Sequence, residues 1–254
     1  MTFSNDPLRP VALAYAAVSH ALCAADRRHR HSDGSVVAVS GSPVASLNAV
    51  ISPNLDPDPE VIGALAGSEA LRGLAWSIQV RGLPGQRVTD VATRNGLTHV
   101  TRLPLMIRRP DAGAPPPATG SLRVRPVGGD ELGLYARTMA EGFGVPHETF
   151  ELFTEPGPAS TEGFTFYLAE DDSGPVATGM AAVQGELLGI FNIAVLPQHR
   201  RRGHGRAVTT EIVRAHHAAG ATTAYLYAST MGEPVYASAD FRTEEVLTVF
   251  RAPA

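Results

Sequence analysis

Read for the spacing of its apolar positions, the second half of the chain resolves into an ordered series of elements. "LRVRPV" (122–127) alternates as a strand does, and Asp130 can cap a helix through "ELGLYARTMAEGF". "GFTFYLAE" and "PVATGMAAV" are two strands around the hairpin turn "DDSGP", and "ELLGIFNIAVL" is a third, ended by Pro197. From Gly203 the period changes to helical: Ala207, Val208, Ile212, Val213 and Ala215 approximate one face, with Gly220 placed as the C-cap. "TTAYLYAS" is a buried strand, "GEPVYASAD" a short helix and "FRTEEVLTVFRA" a final strand.

The first half holds similar parts. "PVALAYAAVSHALCAADRR" suits an amphipathic helix, "SVVAVSG" and "PVASLNAVI" form a strand pair across Ser42 and Pro43, and "PDPEVIGALAGSEALRG" starts a helix on prolines. "LAWSIQV" and "LTHVTRLPLMIRR" are further strands. Between the halves, "PDAGAPPPATGS" (110–121) has a triple proline and no bulky apolar residue, so it can hold neither helix nor internal strand. It is a semi-rigid linker or a long surface loop. The first reading divides the chain into domains 1–109 and 121–254, joined by 110–120.

Composition narrows the class of protein. With 44% hydrophobic and 18% charged residues over 254 positions, the chain has globular rather than disordered character. One cysteine, Cys23, excludes an internal disulfide, and no Cys/His spacing fits a zinc site. The first twenty residues lack the form of a secretory signal, and no apolar run approaches the length needed to cross a bilayer. The expectation is a soluble, cytoplasmic protein. A net charge of -4 gives no general attraction to nucleic acid or anionic lipid, so any basic patch is local.

One such patch exists. "VLPQHRRRGHGR" (195–206) gathers Arg200, Arg201, Arg202 and Arg206 around Gly203 and Gly205 where a strand gives way to a helix. A helix start offers unpaired N–H groups and partial positive charge, glycine lets the backbone approach a ligand, and arginine bonds phosphate oxygens. Strand, tight loop and helix together make a pyrophosphate cradle, or else a solvated basic turn. The GxxxxGK[ST] loop fails here because Arg206 and Ala207 follow the second glycine, and the three-glycine dinucleotide fingerprint with its acidic partner is absent.

Arg200, Gly203 and Gly205 do meet the pattern Arg/Gln-x-x-Gly-x-Gly/Ala after "NIAVLP", with "YLYAS" and "GEPVYASADF" downstream. In this the chain resembles the GNAT superfamily of acyl-CoA-dependent N-acetyltransferases over about residues 120–254. The implied fold is α/β with a mixed α+β sheet: two GNAT-like domains, each a mostly antiparallel central sheet flanked by helices, the first a degenerate copy lacking the loop. The resemblance also implies acetyl-CoA as cosubstrate, no metal, and an amine acceptor that is a small molecule or a peptide. Neither nucleic acid nor membrane is expected as a partner, and the protein is expected as monomer or homodimer.

Carried over position by position, the resemblance places coenzyme pyrophosphate on the loop of Arg200, Arg201, Arg202, Gly203, His204, Gly205 and Arg206. The pantetheine arm falls along the main chain of Ile193, Ala194 and Val195, on a strand that splays from its neighbour, and Ser229 joins the coenzyme-binding set. Tyr236, in the short helix, takes the place of a proton donor to the leaving thiolate, or packs as an ordinary structural tyrosine. The glutamate that many relatives carry before the loop falls on Gly189. Glu148 is the catalytic carboxylate named in its stead, with His147, Glu233 and relayed water as alternatives. Asp240 replaces the usual glycine before Phe241, and aspartate enters left-handed geometry without large strain. His199 and His204 lie at non-ligand spacing, and His216 and His217 face different directions on a helix.

Three functions follow: an N-acetyltransferase acting by direct attack in a ternary complex, a non-enzymatic acyl-CoA-binding sensor or partner-binding module, and acyl transfer involving aminoacyl-tRNA. The negative net charge disfavours the last, which needs a large polyanionic partner.

Overall fold

The computed structural model describes residues 6–115 and 122–253. Its contacts divide the chain into one unit of residues 1–103 with 245–254 and another of 104–244. These borders differ from the sequence boundaries at 109 and 121, because the chain exchanges strands on either side of them. Of the proposed linker, Pro110–Ala112 form a short turn and 116–120 lie outside the described residues.

The first unit runs α1 (Arg9–Ala21), β1 (Arg28–Arg30), β2 (Val36–Val39), β3 (Asn48–Ser52), α2 (Pro59–Ala66), β4 (Ser77–Arg81) and α3 (Gln86–Arg94). β2 and β3 are buried at every position, as continuous apolar runs require when both faces are covered. β1 carries no strand pattern in the sequence, and its Arg28 falls at the end of the segment expected as helix. It pairs antiparallel with β2, and its two-residue exposed end explains the missing apolar signal. α3 was also missed. Its mean composition is polar, and only Val88, Val91 and Ala92 mark a buried stripe at helical spacing.

β5 (His99–Arg108) leads on to β6 (Arg123–Pro126), α4 (Leu132–Phe143), the single turn α5 (Pro156–Ala159), β7 (Phe164–Asp171), β8 (Gly174–Gln184), β9 (Leu187–Val195), α6 (His204–Ala218), β10 (Thr223–Tyr227), α7 (Glu233–Ala237) and β11 (Arg242–Arg251). Asp130 does not cap α4. It sits in a short 3-10 turn, and Glu131 holds the N-cap without a side-chain bond. Gly220, at φ 102°, follows the capping residue Ala219 and closes α6 in the left-handed geometry that glycine permits.

Pairing follows one order in both units. In the first, β1, β2 and β3 are antiparallel neighbours, α2 crosses over to β4 parallel to β3, and β4 then pairs antiparallel with Leu247–Arg251 of β11. In the second, β6, β7, β8 and β9 form the antiparallel run, α6 crosses to β10 parallel to β9, and β10 pairs antiparallel with Leu105–Arg108 of β5. Each mixed sheet is thus completed by a strand from the far half of the sequence.

The core of the second unit forms where Val208, Ile212 and Val213 of α6 bury against Ala177, Ala181, Leu188 and Ile190. Gly179 makes this approach possible, since a Cβ there would stand 2.7 Å from Val208 Cγ1 and 2.8 Å from Ile212 Cδ1. In the first unit Ile62 and Leu65 of α2 pack with Val88 and Val91 of α3 on Val50, Ile78 and Val80. Among its described residues the fully buried charge is Arg81, which bonds the carboxylates of Asp6 and Glu245 at 2.9 and 2.8 Å. Among the described residues no helix is long and apolar enough to cross a membrane.

Candidate functional site

β9 and β10 stay together for only three pairs, Leu187–Thr223, Leu188–Ala224 and Gly189–Tyr225. Beyond Gly189, β9 continues to Val195 with β8 as its partner. Among the described residues no strand pairs with its other side there, where an added strand or an extended ligand could run. A bulge sharpens the divergence: Thr178 pairs with Ala194 and Met180 with Phe191, so Asn192 and Ile193 stand together opposite Gly179. Asn192 takes φ 55°, and its carbonyl accepts from Thr178 Oγ1 at 2.8 Å. Sequence reasoning passed over Asn192. The signal was an asparagine inside an apolar strand, among the residue types that enter left-handed backbone most readily.

The chain leaves β9 through a 3-10 turn at Pro197–His199 and enters α6 at Gly203. Arg201 and Gly203 are left-handed, at φ 61° and 81°. The first hydrogen bond of the helix runs from Ala207 N–H to Gly203 C=O, and the N-cap has no side-chain bond. The N–H groups of Gly203, His204, Gly205 and Arg206 therefore precede the ladder, at the positive end of the helix dipole. Arg201, Arg202 and Arg206 are exposed around them. Arg200 differs: its guanidinium donates to the carbonyls of Val195 at 3.3 Å and Gly142 at 2.8 Å, which clamps the loop to β9 and to the end of α4. A Cβ on Gly142 would lie 2.8 Å from that of Ala194, so α4 rests directly on this stretch of β9.

Gly205 packs over the same strand. A Cβ there would lie 3.6 Å from Val195, 3.8 Å from Ile193 and 4.0 Å from Val235 of α7. The open stretch of β9, the start of α6 and the helix carrying Tyr236 thus meet at one place. Tyr236 is partly buried against the unit's core, its ring edge-on to Phe241 at 6.2 Å, and loss of water pushes its hydroxyl up to about 12. Ser229 is exposed just before α7, its carbonyl accepting from Gly232 and Glu233 N–H. Asp240 takes φ 65°, so aspartate does fill the left-handed place before Phe241.

The candidate bases fall on two segments, His147 and Glu148 side by side after α4 and Glu233 at the start of α7. Glu148 is exposed in the 3-10 segment His147–Phe153, His147 Nε2 faces Glu141 at 3.3 Å, and Glu233 accepts from Thr243 Oγ1 at 3.2 Å. Over Gly189 there is no space for an acid: a Cβ would meet Phe191 Cε2 at 2.5 Å and the Tyr225 hydroxyl at 2.8 Å.

The first unit has a different helix start. The Asp58 carboxylate caps α2 by accepting from Glu60 N–H at 2.8 Å, and Glu60 adds acidity to the first turn. Two carboxylates at this helix start disfavour an anion there, whereas α6 has no side-chain cap and no acid in its first turn. The loop histidines also differ from their reading as residues without ligand arrangement, since folding brings Asp171 of the β7–β8 turn to His199 and His204.

Residues 162–243 match the family described as the acetyltransferase (GNAT) domain. No curated protein matches the chain. Among solved structures, a GCN5-related N-acetyltransferase from Kribbella flavida is similar at 18% identity and TM-score 0.68, covering 99% of this chain and 97% of that one. A GCN5-related N-acetyltransferase from Sphaerobacter thermophilus is similar at 19% identity and TM-score 0.55, over 70% of this chain and 59% of the other. A functionally unknown conserved protein from Staphylococcus epidermidis reaches TM-score 0.60 at 12% identity, over 88% and 92%. Residues 162–243 are thus similar to the GNAT acetyltransferase domain, and the fold is shared with structures described as GCN5-related N-acetyltransferases.

Proposed function

We propose that the protein transfers an acetyl group from acetyl-CoA to an amine by direct attack in a ternary complex. The observation that carries this reading is the opening of β9 from β10 directly below an uncapped, glycine-bearing helix start. The N–H groups of Gly203, His204, Gly205 and Arg206 bond pyrophosphate oxygens, with Arg201, Arg202 and Arg206 supplying charge. Arg200 contributes by holding the loop. The main chain of Ile193, Ala194 and Val195 bonds the pantetheine arm as an added strand would, and Ser229 lies along its course.

The amine nitrogen bonds to the thioester carbon as the carbon–sulfur bond breaks. Tyr236 gives its hydroxyl proton to the departing thiolate, and the proton that the nitrogen sheds as the amide forms returns through water to the tyrosinate. An alkylamine with pKa about 10 must first lose a proton, which costs roughly 4 kcal/mol at neutral pH. Glu148, exposed to solvent in the segment that follows α4, takes that proton directly or through water. The acceptor is a small-molecule or peptide amine, and the first unit is a degenerate copy without a coenzyme site.

One observation favours a second reading, a non-enzymatic acyl-CoA-binding module: the Phe191 ring and Tyr225 hydroxyl fill the space over Gly189 where a strand carboxylate would stand. Tyr236→Phe separates the two. It keeps the ring packing and removes the proton, so acetyl-CoA affinity stays within a few-fold while single-turnover acetylation of a competent amine falls about 10²-fold. Undiminished turnover in this variant removes Tyr236 from the mechanism. No thiol release across an amine panel, with acetyl-CoA still bound, favours the module.

A further inference from the structure

Three side chains meet beside the α6 start in an arrangement that acyl transfer does not require. Asp171 ends β7 at the hairpin turn, His199 lies in the turn after β9, and His204 opens α6. One ligand atom from each lies within 4.8 Å of the other two. Asp171 Oδ2 and His199 Nδ1 are 3.2 Å apart. Two donors bound at about 2.0–2.1 Å to a tetrahedral ion stand roughly 3.4 Å apart, so this pair already has ligand spacing. The His199 and His204 rings lie 6.2 Å apart between centroids, and the remaining edges of the triangle, at most 4.8 Å, must shorten as an ion binds.

The polar atoms of the cluster are poorly used otherwise. His199 Nδ1 and His204 Nε2 are both shielded from solvent and without a hydrogen bond among the described residues. The approach of His199 to Asp171 is close but lacks hydrogen-bond geometry. Burying two imidazole nitrogens in this state is unfavourable unless something else engages them. Asp171 is held for the purpose: its Oδ1 accepts from the Ser173 backbone N–H at 2.8 Å and from the Ser173 hydroxyl, which leaves Oδ2 for the histidines. Such outer-shell bonds orient a metal-binding carboxylate.

We propose that Asp171, His199 and His204 form a three-ligand site for a divalent first-row transition ion, Zn²⁺ by preference. Two imidazoles and one carboxylate suit Zn²⁺ or Fe²⁺, whereas Mg²⁺ and Ca²⁺ demand oxygen donors throughout. Between the first two, nitrogen and oxygen sites bind Zn²⁺ more tightly. Three protein ligands leave a fourth position for water. The ion fastens the β7–β8 turn to the loop that opens α6, so it stabilises that loop whether or not the chain transfers an acyl group.

The test uses the full chain, stripped by chelator and dialysed, then titrated calorimetrically with ZnCl₂ and, without oxygen, with Fe²⁺. The expected result is one Zn²⁺ per chain, a higher melting temperature, and with Co²⁺ the strong visible absorption of a four-coordinate ion. Asp171→Ala and His199→Ala each weaken Zn²⁺ binding by more than the roughly 10- to 100-fold that an outer-shell partner carries. The exposed His29, in the first unit, serves as control: His29→Ala leaves binding unchanged. Absence of stoichiometric Zn²⁺, a Co²⁺ spectrum of hydrated, six-coordinate type, or tighter binding of Fe²⁺ or Mg²⁺ overturns the proposal, and so does unchanged affinity in both cluster variants. The spectrum and stoichiometry of the wild type decide the matter even if a variant fails to fold.

Discussion

Gly203 and Gly205 stand two residues apart, yet they are glycine for different reasons, and alanine at each separates them. At Gly203 a Cβ meets nothing within 4 Å, but φ is +81°, a backbone that costs a side-chain-bearing residue roughly 1–2 kcal/mol. At Gly205 the backbone is ordinary, and a Cβ would make van der Waals contacts at 3.6 and 3.8 Å with Val195 and Ile193. There alanine removes the flexibility of glycine and gains about 0.5–1 kcal/mol. At 2–4 °C per kcal/mol for a chain of this size, Gly203→Ala lowers the melting temperature by about 2–8 °C and Gly205→Ala raises it by about 1–4 °C. Coenzyme binding follows the same division. The strain counts once: whatever part of it the free loop sheds by relaxing does not lower the melting temperature and must be restored on binding, so full relaxation leaves melting unchanged and makes acetyl-CoA affinity about 5- to 30-fold weaker for Gly203→Ala. Gly205→Ala keeps affinity within a few-fold, because one methyl fits. Paired thermal melts and calorimetric titrations read both numbers. Equal shifts of the same sign would refute the division, and a Gly203→Ala variant with neither melting temperature nor affinity lowered would refute the strain assigned to this loop.

The other expectations are independent of that pair. Calorimetry should find one acetyl-CoA per chain, since Asp58 occupies the Glu60 N–H and sets a carboxylate at the start of α2 where a second pyrophosphate would sit, and two equivalent sites would contradict this. Arg200→Lys cannot span the carbonyls of Val195 and Gly142, so one hydrogen bond of about 1 kcal/mol is lost and coenzyme affinity falls several-fold, where a free phosphate-binding arginine would be replaced by lysine with little change. Burial depresses His216, whose Nε2 lies 3.0 Å from the Tyr167 hydroxyl. The unfolded chain then binds the extra proton first, so stability is full above about pH 6.5 and declines as pH falls below it. His216→Gln should flatten melting temperature between pH 7.5 and 5.5, and an unchanged slope would assign the decline to other groups.

Much of the second unit was legible because its elements carry the period of their environment. β7, β8 and β9 were marked by apolar runs with a turn at "DDSGP", and α6 by its buried stripe between Gly203 and Gly220. What could not be read was the exchange of strands. β5 and β11 have the same apolar pattern whichever sheet receives them, so the linker composition alone suggested a division at 109 and 121. Register is set by pairing partners distant in sequence, and local period contains no term for them.

The site divides along the same line. Main-chain features had local signals: glycines where a cradle needs left-handed or closely packed backbone, aspartate at 240 where φ is 65°. Side-chain constellations did not. Asp171 and His199 belong to turns on different strands, and only the antiparallel register of β7 with β8 and β8 with β9 brings them to one end of the sheet. Gly189 illustrates the converse. From sequence it is a missing carboxylate, while in the fold its lack of a side chain admits the Phe191 ring and the Tyr225 hydroxyl, so restoring glutamate there would displace both rather than supply a base. Any base must therefore reach the acceptor from another element. Glu148, named from the resemblance alone, lies exposed on such an element after α4, which keeps it as the proposed candidate.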